Sequence, residues 1–185
     1  MFKPLFKETR EHMQKTLEVF ESNLATLRTG RANPALLEHI KVDYYGSMMP
    51  LNQLASISAP DARTLVVQAW DQNALPLIEK AIRDSDLGLN PNNQGDTLFI
   101  NIPALTAERR KEIVKAAHNY AEEARVAVRN IRRDALHRIK KMSEEEHLPE
   151  DDVKRAEKEV QELTDEFIEK INAELEAKEK EILSE

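Results

Sequence analysis

The apolar positions of this chain change period twice. From Phe6 through Met13, Leu17, Phe20, Leu24 and Leu27 the spacing alternates between three and four, the seam of a helix packed against helices. That helix is expected to end near Thr29-Gly30, because glycine accepts the left-handed backbone of a helix terminus and Pro34 prevents resumption. Between Ala32 and Pro103 the period shortens to two. Ile40, Val42 and Tyr44 alternate with polar neighbours up to Gly46, Leu54 to Ile57 reads as a short strand, and Thr64 to Trp70 alternates again. Met49-Pro50-Leu51 and Ser58-Ala59-Pro60-Asp61 read as turns around the second of these. Leu75, Ile78 and Ile82 mark a short amphipathic helix, Asn90 to Asp96 reads as turn, and Thr97 to Ile102 as a last strand.

After Pro103 the helical period returns and stays. Thr106 is a suitable N-cap for a helix without glycine or proline as far as Met142, about 55–60 Å long. A turn near His147-Leu148 leads to Pro149, and Glu150, Asp151 and Asp152 favour the positive end of a third helix. Val153, Ala156, Val160, Leu163, Phe167, Ile171 and Leu175 give it a seam of its own. Three single-seam helices must bury their seams together. The expected fold is α+β: an antiparallel three-helix bundle from residues 1–30 and 104–185, with a small β/α/β domain, 31–103, inserted. The two crossings, near 30–34 and 102–105, would form a hinge marked by Gly30, Pro34 and Pro103.

Composition narrows the chemistry. There is no cysteine, which removes disulfides, thiol nucleophiles and cysteine-ligated zinc. No apolar run approaches the roughly 20 residues of a membrane span, and charged residues follow the N-terminus at once. A soluble, cytoplasmic protein is expected. The net charge of −7 conceals a marked asymmetry. Up to Leu105 there are 10 basic and 12 acidic residues, from Thr106 to Lys141 there are 11 and 5, and from Met142 onward 6 and 17. The local field of the basic segment, rather than the sum, governs what it binds.

Within that segment Ala117, Tyr120, Ala124, Ala127, Ile131 and Ala135 share one side of the helical wheel. Arg125, Arg129, Arg132 and Arg133 occupy an arc about 140° from this side. Arg125 has Glu122 one turn away, whereas Arg129, Arg132 and Arg133 have no acidic residue at three or four positions, only other arginines. The third helix is the opposite case: Glu166–Lys170, Lys170–Glu174, Glu174–Lys178 and Glu176–Lys180 are spaced to neutralise one another. Arginine's planar fork suits bidentate contact with phosphate. Phosphate is therefore the favoured partner of this face, with an acidic protein, an acidic surface of the same chain, and plain solvation as alternatives. Arg109, Arg110 and Lys111 taken alone read as local surface residues, but together with Arg28 and Arg31 near the hinge they could extend the basic stripe toward the junction.

The remaining motifs are quiet. His12, His39, His118, His137 and His147 lack metal-ligand spacing, and the acidic runs at Glu144–Glu146 and Glu150–Asp152 lack a calcium-loop pattern. No phosphate-cradling glycine loop or nucleophile elbow occurs among four glycines, so no enzyme, metal or cofactor is expected.

Five segments in order resemble the bacterial ribosome recycling factor family. They are Thr29-Gly30-Arg31-Ala32, Val42 to Gly46, Ser85 to Pro91, Leu105 to Arg110, and Ala124 to Asp134. The resemblance implies a near-L-shaped molecule whose bundle binds the post-termination ribosome between its subunits, chiefly through large-subunit ribosomal RNA. It implies splitting of the subunits together with elongation factor G, the partner that uses GTP, and no cofactor of its own. By motif it makes Arg129, Arg132 and Arg133 the principal RNA contacts, supported by Arg28, Arg31 and Arg110, in a protein expected to act as a monomer. A helical scaffold docking an acidic protein on the same face is the alternative.

Overall fold

The computed structural model describes residues 1–184. Its backbone contacts divide the chain into two compact units. One is built from Met1–Thr29 together with the chain from Ala107 on, and the other from Gly30–Thr106.

The first unit is a bundle of three helices, α1 (Lys3–Ala25), α4 (Ala107–Glu146) and α5 (Glu150–Leu183). Their order of travel follows from the side chains that meet. Glu8 of α1 reaches Arg138 near the far end of α4 and Phe20 lies against Ala124, so α1 and α4 are antiparallel. Arg125 and His118 meet Asn172 and Glu179, so α4 and α5 are antiparallel as well. Met13, Leu17, Phe20 and Leu24 of α1 close over Ala117, Ala121, Ala124 and Val128 of α4 and over Leu163, Phe167, Ile171 and Leu175 of α5. Alanine lines α4 where its neighbours carry phenylalanine and leucine, which lets large side chains interlock with a small-residue face.

Helix α1 stops at Ala25, short of the expected Thr29-Gly30. The Thr26 hydroxyl donates to the Asn23 carbonyl at 2.6 Å and the Leu27 N–H to Leu24 at 3.1 Å, closing the helix with a tighter turn. Helix α4 runs four residues past Met142 and ends at His147, whose φ of +52° takes the left-handed conformation usual after a helix. Its 40 residues span about 60 Å.

The second unit holds a one-turn helix α2 (Ala35–Glu38) and the hairpin β1 (Lys41–Tyr44)–β2 (Ser47–Pro50). It continues with β3 (Ala55–Asp61), β4 (Thr64–Ala69), helix α3 (Leu75–Arg83), β5 (Pro91–Gln94) and β6 (Thr97–Asn101). The last four strands form one antiparallel sheet in the order β3-β4-β6-β5. Leu65 and Val67 stand opposite Ile100 and Leu98, and all four are fully buried beneath Ile78 and Ile82 of α3.

Two strands replace segments whose composition reads as turn. Ser47–Pro50 pairs with β1 because Tyr45 and Gly46, at φ +50° and +87°, form the tight left-handed turn that hairpins favour. Pro91–Gln94 is an edge strand, where a proline needs no ladder N–H. Ala59-Pro60-Asp61 belongs to β3, and the register of the β3–β4 ladder shifts between Ser58 and Asp61.

Candidate nucleic-acid interface

The buried residues of α4 are Ile113, Ala117, Ala121, Ala124, Val128, Ala135 and Ile139. This seam is rotated from the expected one: Val128 is fully buried, while Tyr120, Ala127 and Ile131 lie at its flank. The arginines therefore do not share one direction about 140° from the core. At about 100° per residue, Arg133 lies roughly 155° from the middle of the seam, Arg129 about 115°, Arg125 about 75° and Arg132 about 55°. Arg133 is accordingly exposed and Arg132 half-buried.

Electrostatics divides the row further. Arg125 is only 20% exposed. Its Nε donates to Oδ1 of Asn172 on α5 at 2.9 Å and its Nη1 to Oε2 of Glu122 at 3.0 Å. Glu122 also accepts from Nη1 of Arg129 at 3.4 Å. Arg129 thus has an acidic partner, against the expectation from three- and four-residue spacing, because Glu122 lies seven residues, or two turns, away. The hydrogen bond from Arg125, then that from Arg129, holds the Glu122 carboxyl below the ordinary glutamate range. Arg132 and Arg133 make no ion pair or hydrogen bond with any of the described residues.

The acidic helix α5 does not neutralise this row. Toward the middle of α4 it offers the neutral Asn172 amide to Arg125, and its Glu179 pairs with His118 at 3.2 Å. Within α5, Glu166–Lys170 and Glu176–Lys180 close at 3.4 Å. Lys178 turns to Glu181 at 3.8 Å, and neither Lys170 nor Lys178 pairs with Glu174. Helix α5 thus pairs its lysines with its own glutamates and sends no carboxylate to the row, and α4 presents two guanidinium groups with no acidic partner among the described residues.

The supporting basic residues are not gathered at the row. Arg110 lies in the first turn of α4, 19 positions before Arg129 and so roughly 28 Å along the axis. Arg28 follows the end of α1 and, with α1 antiparallel to α4, belongs toward that same end of the bundle. Arg31 opens the second unit. Among the residues marking the connections, Gly30 has φ +80°, which only glycine adopts at ease, and Pro34 precedes α2. Pro103 lies in the irregular segment before α4. All five histidines are exposed. Among the described residues no three or more His, Asp or Glu side chains are grouped to hold a metal ion, and no helix is long and apolar enough to cross a membrane.

Periodicity finds Glu122 as the partner of Arg125 but overlooks its contact with Arg129, and it overlooks Asn172 altogether. A pair two turns apart shows only when a search extends to seven, and Asn172 requires the register of α5 on α4.

Known proteins resemble this chain along nearly its whole length. The family model described as ribosome recycling factor matches residues 20–183. The ribosome-recycling factor of Thermus thermophilus is 67% identical over 181 residues, covering 98% of each chain. This chain belongs to the ribosome recycling factor family. The ribosome-recycling factor of Deinococcus radiodurans is 59% identical, again over 181 residues, covering 98% of this chain and 97% of its own. A solution structure of a ribosome recycling factor superposes with a TM-score of 0.78 at 49% identity, covering 100% of this chain and 98% of the other. A second structure has a TM-score of 0.67 at 66% identity and covers 100% of both chains. It describes the T. thermophilus ribosome recycling factor and the E. coli elongation factor G bound to the E. coli post-termination complex. The ribosome recycling factor match spans the bundle and the inserted unit alike.

Proposed function

We propose that this protein recycles ribosomes after translation termination. It binds the post-termination ribosome between the subunits through large-subunit ribosomal RNA and, with elongation factor G and GTP, promotes their separation. It does so as a cytoplasmic monomer without cofactor or catalytic residue of its own.

The observation that carries this reading is the pair Arg132 and Arg133. Both lack an acidic partner among the described residues, beside a loosely held Arg129, on a helix backed by two others. Like charges at three- and four-residue spacing repel, so an external polyanion that accepts them gains what the helix loses. Phosphate accepts a guanidinium fork through two parallel hydrogen bonds, and each contact releases counterions from the RNA. Arg28, Arg31 and Arg110 support the same contact, and Arg129, Arg132 and Arg133 carry it. A stiff rod suits an anchor, since a soft one would dissipate displacement. The connections at 30–34 and 102–105, with Gly30, Pro34 and Pro103, act as the hinge through which the inserted domain is driven by the translocase. Support for the ribosomal setting comes from the relative solved with elongation factor G on a post-termination complex, which shares 66% of this sequence.

Light scattering of post-termination ribosomes mixed with purified elongation factor G and GTP tests the reading. The wild-type chain should split them into subunits, and the triple change Arg129→Ala, Arg132→Ala, Arg133→Ala should not. Splitting that survives the triple change would remove the arginine row from the function. Since Glu122 shows that a carboxylate can engage Arg129, docking on an acidic protein is the second reading. Co-sedimentation with ribosomes that disappears after nuclease treatment excludes it.

A further inference from the structure

We propose that Glu122 is a built-in counter-ion that occupies Arg129 in the free protein and surrenders it to an RNA phosphate on binding. This rests on the ribosomal reading above and concerns how the same surface is regulated.

The two oxygens of Glu122 are divided. Oε2 takes Arg125 at 3.0 Å and Oε1 takes Arg129 at 3.4 Å. Arg125 is fixed from its other side by Asn172 and lies 20% exposed, so it forms a base from which Glu122 is held in place. Arg129 has no such second tie. It is 42% exposed, and its contact is longer than the 2.7–2.9 Å of a strong charge-assisted bond. Carboxylate and phosphate offer a guanidinium the same pair of acceptor oxygens, so they compete for one fork. No acidic side chain of α1 or α5 pairs with Arg129, which leaves Glu122 as the group to be displaced. The row is thus graded: Arg133 and Arg132 present open charge, Arg129 must exchange partners, and Arg125 stays with the protein.

Exchange of an exposed pair is cheap, so the effect on affinity should be small but measurable. Glu122→Gln should tighten binding of the full chain to vacant 70S ribosomes by roughly 1.5- to 5-fold, the fold-change of an exposed ion pair. The decisive comparison repeats it in an Arg129→Ala background, where the gain should vanish. A gain of equal size in both backgrounds means a general removal of negative charge and overturns the proposal. No gain, while Arg129→Ala alone weakens binding, overturns it and leaves the ribosomal reading standing. If Arg129→Ala binds like the wild type at every salt concentration, both the exchange and the anchoring role of Arg129 are wrong.

Discussion

Arg10 of α1 and Glu166 of α5 meet fork to fork, Nη1 to Oε2 at 2.8 Å and Nη2 to Oε1 at 3.1 Å. The guanidinium also lies 5.7 Å from the ring centre of Phe167. This contact ties the first helix to the last across 156 positions of sequence.

Its contribution should depend on pH with a definite sign. The hydrogen bond from Arg10 holds the Glu166 carboxyl below the ordinary glutamate range. The stabilisation is therefore present above about pH 4.3 and lost as pH falls through the lower folded value. Glu166→Gln should cost about 1 kcal/mol or less at pH 7, both side chains being partly exposed. Urea titrations of variant and wild type should differ at pH 7 and converge near pH 3. A gap that persists in acid would mean the loss comes from packing.

Ala121 is fully buried where α4 faces both other helices. Ala121→Leu adds three carbons to a filled interior and should destabilise the bundle by about 1–3 kcal/mol. Thermal unfolding reads the loss directly, and an unchanged midpoint would show unfilled space at that position.

Glu174 is the converse of Glu166. One carboxylate oxygen, Oε2, is buried without a hydrogen-bond partner. Burial first, then the like charge of Glu21 on α1, pushes its pKa up. A raised folded value means stability present in acid is lost as pH rises through it. Glu174→Gln should therefore stabilise the protein at pH 7 by about a few tenths of a kcal/mol, since water screens a partly exposed carboxyl, and the advantage should fade toward pH 4. Stabilisation of equal size at both pH values would point to helix propensity instead of charge.

Arg132→Ala should weaken ribosome binding and shrink the slope of log affinity against log salt by roughly one contact's worth, about 0.7–0.9. An unchanged affinity across a salt series would exclude Arg132 from the anchor.

The long helices are legible in the sequence because a seam of alternating three and four spacings must be buried. Phe20, Phe167 and Leu17 sit where that rule puts them. The α+β class follows, as does the order of helix, strands and helices. Ser47–Pro50 and Pro91–Gln94 escape it, since their pairing depends on a partner strand and their own residues favour turns. On the arginine face the one-signed charge is visible at once. The orientation of Arg132 is not, because whether Val128 or Ala127 turns inward rotates the wheel, and alanine-rich seams define that rotation poorly. The Glu122–Arg129 pair stays hidden because side-chain reach across two turns is a matter of rotamers.

The division of the bundle between the two ends of the chain has a consequence for biosynthesis. The first helix leaves the synthesising ribosome with its phenylalanines and leucines unmatched, because its packing partners begin only at Ala107. At about 5–20 residues per second, several seconds of elongation pass before α4 exists at all. Within the inserted unit the hairpins β1–β2 and β3–β4 can pair in that interval, whereas the β4–β6 ladder, joining Thr64 to Asn101, must wait for the last strand. The earliest-made element thus waits for the two made last, and a nascent chain halted before Ala107 would carry a first helix with nothing to bury its apolar seam.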